Sequence, residues 1–157
     1  MRIERITELH RDHAAQMVRL MDLIEDAELD KNAVLSKILH ALDRTCLIGL
    51  FDGEELKGFV YFTGPNTWYP KRGYLNLTAI DATVPQKYSR MAYDMGCQWL
   101  IERGATYVWG WTKRSPRAIK RLYGFEAAKE RQVVFPLVGD DHLKVERDKG
   151  CAQCISE

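Results

Sequence analysis

The chain has 157 residues, 46% hydrophobic and 29% charged, with a formal net charge of +1. That length suits one ordinary domain with a real core, and the composition excludes a disordered or membrane-embedded chain. The near-neutral balance argues for no particular partner, but charge is unevenly spread: Glu8, Asp12, Asp22, Glu25, Asp26, Glu28 and Asp30 crowd the start, while Lys113 to Arg121 hold five cations and no acid. Such a local cluster suggests one anionic ligand or a docking patch rather than general affinity for nucleic acid.

No apolar run approaches the roughly 20 residues that span a bilayer. The opening Met1-Arg2-Ile3-Glu4-Arg5-Ile6 alternates charged and aliphatic residues and lacks the apolar centre of a signal peptide. A reducing, cytoplasmic setting is therefore expected. Cys46 and Cys97 sit in apolar segments and read as small core residues, and only Cys151 and Cys154 are close in sequence.

In chain order, residues 1–6 read as a short strand. Thr7, followed by acids, is a candidate cap for a helix whose apolar positions Ala14, Met17, Val18, Met21 and Ile24 recur at helical spacing. Asp30 caps a second helix bearing Val34, Leu35, Ile38, Leu39 and Leu42. Residues 46–51 form an apolar strand, Asp52-Gly53 a turn, and residues 56–62 the return strand, with Gly58 marking a bulge. Residues 64–73 (Pro65, Asn66, Trp68 and Pro70 among them) read as a loop. Residues 73–81 form a strand with Leu75, Leu77 and Ala79 on one face and Tyr74, Asn76 and Thr78 on the other.

Pro85 opens a helix to about Arg103, with Ala92, Met95, Trp99 and Leu100 on its buried stripe and Gly104 as its stop. Residues 105–111 are a fifth strand, whose Trp109 and Trp111 read as core. Ser115-Pro116 starts a short helix that ends at Gly124. Residues 125–137 give a last strand, and residues 138–157 a polar tail. The order β-α-α-β-β-β-α-β-α-β predicts a single three-layer α/β (α+β) domain over residues 1–137, a mixed central sheet with helices on both faces.

Three segments resemble the GNAT superfamily, the acetyl-CoA-dependent N-acetyltransferases. They are the hairpin Leu47-Ile48-Gly49-Leu50-Phe51-Asp52-Gly53 with Lys57-Gly58-Phe59-Val60-Tyr61, the strand–loop–helix from Ile80 to Ala92, and Arg117 to Glu126 with its Gly124-Phe125 ending. The resemblance implies that acetyl-CoA (or CoA) lies along a splayed strand, here residues 74–84. Its pyrophosphate would sit at a helix start near Ser89, where free N–H groups and the helix dipole favour anions. It implies cofactor contacts at Thr83, Val84, Lys87, Ser89, Arg90, Ala92 and Lys113, with the Thr83 and Val84 amides polarising the thioester carbonyl. It also implies an amine acceptor, a small molecule or a protein, with Asp81 and Tyr123 as catalytic candidates.

The sequence departs from the family's pattern. Ser89, Ala92 and Asp94 stand where the family's loop has Gln or Arg, then Gly, then Gly or Ala. Lys113 stands at the frequent asparagine, and Lys120 at the usual tyrosine, three residues from Tyr123.

A looser resemblance, in Tyr107-Val108-Trp109 and the basic turn and helix to Gly124, links the chain to acetyltransferase-like proteins of tailed bacteriophages, including internal virion proteins. It implies an alternative: an inactive virion or docking protein that meets its partner through Lys113, Arg114, Arg117, Lys120 and Arg121. Nucleic-acid binding through that basic run is disfavoured, because it lacks interleaved exposed aromatics.

Other residues read blandly. Asp81 is as well a strand-end cap as a base. His10 and His13 are exposed polar residues with no third metal ligand following, and Cys151 and Cys154 are tail thiols with only His142 nearby.

Overall fold

In the computed structural model, which describes residues 1–24 and 29–110, the elements are β1 (Arg2–Ile6), α1 (Arg11–Met21), α2 (Lys31–Leu39), β2 (Thr45–Asp52), β3 (Glu55–Thr63), β4 (Arg72–Ile80), α3 (Gln86–Ile101) and β5 (Tyr107–Gly110). The chain divides into two units, Met1–Glu126 and Ala127–Glu157, and the described residues all belong to the first. The helix, strand and tail expected beyond residue 111, the basic run Lys113–Arg121, Trp111, Tyr123, Cys151 and Cys154 lie outside the described residues.

The sheet runs β1-β2-β3-β4-β5. Its first three pairings are antiparallel, and β4 pairs with β5 in parallel, from Arg72↔Tyr107 to Leu75↔Gly110. A parallel pair needs a crossover, and α3 supplies it. Helices α1 and α2 cover one face, packing on Leu47, Phe51, Phe59 and Tyr61. Helix α3 covers the other, where Ile48, Leu50, Val60 and Phe62 meet Ala92, Tyr93, Trp99 and Leu100. No helix among the described residues is long and apolar enough to cross a membrane.

Two bulges decide which side chains face which layer. Leu50 pairs with Gly58 but Phe51 with Leu56, so Lys57 is the extra residue, immediately before Gly58. Its effect is to turn Leu56 to the same layer as Phe59 and Tyr61. The Leu56 amide donates to Gln16 Oε1 of α1 at 2.7 Å. In β4, Tyr61 pairs with Leu77 but Phe62 with Leu75, so Asn76 is extra. The expected grouping of Leu75 with Leu77 and Ala79 is thereby corrected. Leu75 packs on the α3 side, whereas Leu77 and Ala79 pack toward α1 and α2. An inserted residue reverses the alternation that a period of two predicts.

Helix α1 begins after His10, not Thr7, because Thr7 and Glu8 are used to bend the chain out of β1. Asp30 caps α2 as expected, its Oδ1 accepting from the Ala33 amide at 3.0 Å. On α3 the stripe contains Gly96 rather than Met95, which is exposed. A Cβ at Gly96 would come within 2.0 Å of the Phe62 ring, so the ring takes the space that a side chain would fill. The hairpin turn is Gly53-Glu54, with Asp52 already paired to Glu55; Gly53 has φ 61°, open to glycine at little cost.

Candidate functional site

The exit from β4 is where the sheet, the loop and α3 meet. Asp81 extends the β3–β4 ladder, its amide donating to the Lys57 carbonyl at 2.9 Å. Its Oδ1 then accepts from the Thr83 amide at 2.8 Å and from the Thr83 hydroxyl at 2.6 Å, while the Val84 amide donates to the Asp81 carbonyl at 3.0 Å. An aspartate bonding to the backbone two residues on is a favourable local turn. The Thr83 hydroxyl, and then its amide, hold the Asp81 carboxyl below the ordinary value, with the Lys57 ammonium adding to the effect. Asp81 therefore stays ionised and is a weak proton acceptor.

This turn corrects one expectation. The Thr83 and Val84 amides are occupied by Asp81 and are not free to polarise a carbonyl. The open donors lie further on. Pro85, with φ −60° and no N–H of its own, lets the helix begin at once at Gln86. The Gln86 and Lys87 amides, in the first turn, have no acceptor within the helix. No acid stands in that turn, and the exposed side chains of Lys87 and Arg90 add positive charge.

Because α3 starts about one turn before Ser89, the residues placed in the phosphate loop by register fall deeper in the helix. Ser89 is buried but opens on the groove described below; Ala92 is enclosed in the core and has no exposed surface. Asp94 is exposed about 12 Å along the axis from the helix start, where its charge helps to raise the Cys97 thiol after burial. Lys113 and Tyr123 lie outside the described residues.

A groove of about 290 Å³ opens over the end of β4, lined by Leu23, Ile24, Thr78 to Ala82, Val84, Gln86 and Ser89. A smaller hollow of about 180 Å³ adjoins it, between Gln16, Arg19 and Leu20 of α1 and Glu55 to Lys57 of β3. Asp81 and Leu23 line both. Among the described residues, β4 beyond Leu75 has no partner strand on the β5 side. Sequence reasoning missed Leu23, Lys57, Thr78 and Gln86. Leu23 carries a faint signal, an apolar residue just past a helix end, and it is 53% exposed. Among the described residues, no cluster of His, Cys, Asp and Glu could hold a metal; His10 and His13 stack edge to face, and His13 does so again on Phe51.

No family model matches the chain, and no curated protein matches it by sequence. Solved structures do. A probable acetyltransferase superposes with TM-score 0.66 at 17% identity, over 89% of this chain and 100% of its own. A ribosomal-protein-alanine N-acetyltransferase from Brucella melitensis biovar Abortus 2308 gives 0.62 at 16%, over 87% and 99%. The aminoglycoside 6′-N-acetyltransferase AAC(6′)-IG from Acinetobacter haemolyticus gives 0.66 at 14%, over 89% and 100%. The chain thus has the fold of the GNAT acetyltransferases, a mixed sheet, five-stranded among the described residues, between helical layers.

Proposed function

We propose that the chain is an acyl-CoA-dependent N-acyltransferase whose acceptor is an amine, a small molecule or a protein. The observation that supports this most is the polarity of the β4 exit. An ionised Asp81 stands at the mouth of the groove, and an acid-free helix start with Lys87 and Arg90 stands one turn beyond. The first suits an ammonium, the second a phosphate.

The residues present fit acetyl-CoA, or CoA carrying another acyl group, at its phosphate end. Lys87, Arg90 and the Gln86 and Lys87 amides would hold the phosphates; Thr78 to Ile80 would meet the arm. The bound cofactor supplies an activated thioester carbonyl. Asp81 orients the acceptor as its ammonium, which gives its proton to solvent because the lowered pKa of Asp81 makes the carboxylate a poor base; the free amine would then be the nucleophile and the thiol of CoA the leaving group. Turnover is slow in this reading. No glycine lets phosphate approach the helix start closely, and Lys120 replaces the family's tyrosine, whose general-acid role is worth about 10²–10⁴ in rate.

Thiol release from acetyl-CoA in the presence of polyamines, aminoglycosides and N-terminal peptides tests the activity. Arg90→Ala should weaken acetyl-CoA binding by about 1–3 kcal/mol through loss of a charge-assisted hydrogen bond. Unchanged binding in this variant would remove Arg90 from the site.

A further inference from the structure

The opposite end of the sheet, where β4 and β5 begin, has a different character. The loop from Gly64 to Lys71 is closed on itself: the Asn66 amide donates to the Tyr69 carbonyl at 3.4 Å, and the Tyr69 amide returns to the Asn66 carbonyl at 3.2 Å. The Asn66 side-chain oxygen accepts from the Trp68 amide at 3.0 Å and the Tyr69 amide at 2.9 Å. This ordered loop presents Trp68 almost wholly to solvent, at 88% exposure, with Tyr69 at 47% and Tyr107 of β5 at 46%. An indole held outside the core on a loop closed this way is accessible to a ligand, and two further exposed rings accompany it.

Cations lie among the rings. The Arg72 guanidinium stands 4.2 Å from the Tyr69 ring, 4.5 Å from Trp109 and 5.6 Å from Tyr107, and its Nε donates to the Tyr107 hydroxyl at 3.4 Å. The Arg103 guanidinium stands 3.9 Å from the centre of the Trp99 ring, beside Gly64. Lys71 is exposed, and its carbonyl accepts from the Thr106 amide at 2.8 Å, which ties the loop to the start of β5. Residues 64–72 and 103–110 contain no Asp or Glu. The adjacent Glu102 turns back along its helix to accept from Gln98 Nε2 at 3.4 Å.

We propose that this surface binds single-stranded nucleic acid, with Trp68, Tyr69 and Tyr107 stacking unpaired bases and Lys71 and Arg103 neutralising phosphates. Stacking on a protruding ring requires a base with a free face, which an intact duplex withholds along its length. A membrane-docking loop adds aliphatic side chains to its aromatics, whereas the rest of this loop, Lys71 apart, is Gly64, Pro65, Asn66, Thr67 and Pro70. An acidic protein partner would use the cations but leave the exposed indole without a role. The surface lies at the far end of β4 from the acyltransfer groove, about 26 Å away along the strand, and the proposal is independent of that activity. The basic run Lys113–Arg121 contains no Phe, Trp or Tyr, whereas here exposed aromatics are present.

The test is fluorescence anisotropy of the full chain with labelled 15-nucleotide dT and rU strands, a duplex of equal length, and vesicles of phosphatidylcholine with phosphatidylserine. The expected result is saturable binding of the single strands, weaker binding of the duplex, and none to vesicles. Trp68→Ala should reduce affinity about 5- to 150-fold, the range set by stacking one base on an aromatic side chain. Trp68→Phe should restore most of it. Lys71→Gln and Arg103→Gln should each lower the salt slope by about 0.7. Trp68 is exposed, so its variants should melt with the wild type. Absence of single-strand binding at low salt, duplex binding of equal strength, vesicle binding instead, or affinity unaffected by Trp68→Ala would each overturn the proposal.

Discussion

Cys46 and Asp81 show how the same fold pushes two titratable groups in opposite directions. Burial in the α3-side core pushes the Cys46 thiol up to about 11, against the opposing pull of Arg5 and Arg103. A thiol reacts as its thiolate, so Cys46 should resist iodoacetamide at pH 8 in the native protein and become labelled in urea. Peptide mapping by mass spectrometry reads this directly, and native labelling at the unfolded rate would contradict the core placement. The sign of the pH dependence follows. The folded pKa lies above the ordinary value of 9.0, so stability from this group is full below about 9 and is lost as pH rises toward about 11.

Asp81 works the other way. Its pKa is lowered, so its contribution is present above the ordinary carboxylate value and is lost as pH falls through the lowered one. Asp81→Asn keeps an oxygen for the Thr83 amide and hydroxyl but removes the charge. If Asp81 holds the acceptor ammonium, KM for the amine should rise while kcat stays near wild type, and the melting temperature at neutral pH should fall slightly with the lost carboxylate. A lost kcat at unchanged KM would make it a base instead.

At the scale of elements, the tightest contact is α3 on β3. Alanine at position 96 would gain roughly 1 kcal/mol of helix propensity. Its Cβ would meet Phe62 at 2.0 Å, however, and overpacking of that kind costs about 1–3 kcal/mol. Gly96→Ala should therefore lower the urea midpoint, with Gly96→Ala/Phe62→Leu recovering part of the loss. A more stable Gly96→Ala would place the helix further from the sheet than described.

The same contact shows what was legible beforehand. Helical spacing identified Ala92, Trp99 and Leu100, because a period of 3.6 is written in the apolar residues themselves. It could not identify Gly96, whose reason lies in Phe62, 34 residues earlier. Likewise the strand at residues 72–80 was legible, but the bulge at Asn76 was not, since register is set by the partner strand. At the site, Pro85 marked the helix start, and Asp81 was read as a strand-end cap or a base rather than as the turn it makes with Thr83. The occupied amides of Thr83 and Val84 escaped notice because a side chain, not a pattern, consumes them.

The domain as a whole has two unlike ends. Where β4 leaves the sheet, Asp81 faces a groove and an unneutralised helix start; where β4 enters it, aromatic rings and guanidinium groups stand exposed. The fold is that of acetyltransferases, and the function proposed for it requires the β4 exit to bind an acyl-CoA. Isothermal titration of the full chain with acetyl-CoA tests it most directly. Saturable heat is expected with Kd between ~1 µM and ~1 mM, the span of ordinary enzyme–substrate constants, with weaker binding by Arg90→Glu at an unchanged melting temperature. Absence of heat with acetyl-CoA at several times ~1 mM would contradict it and leave a GNAT fold without its cofactor.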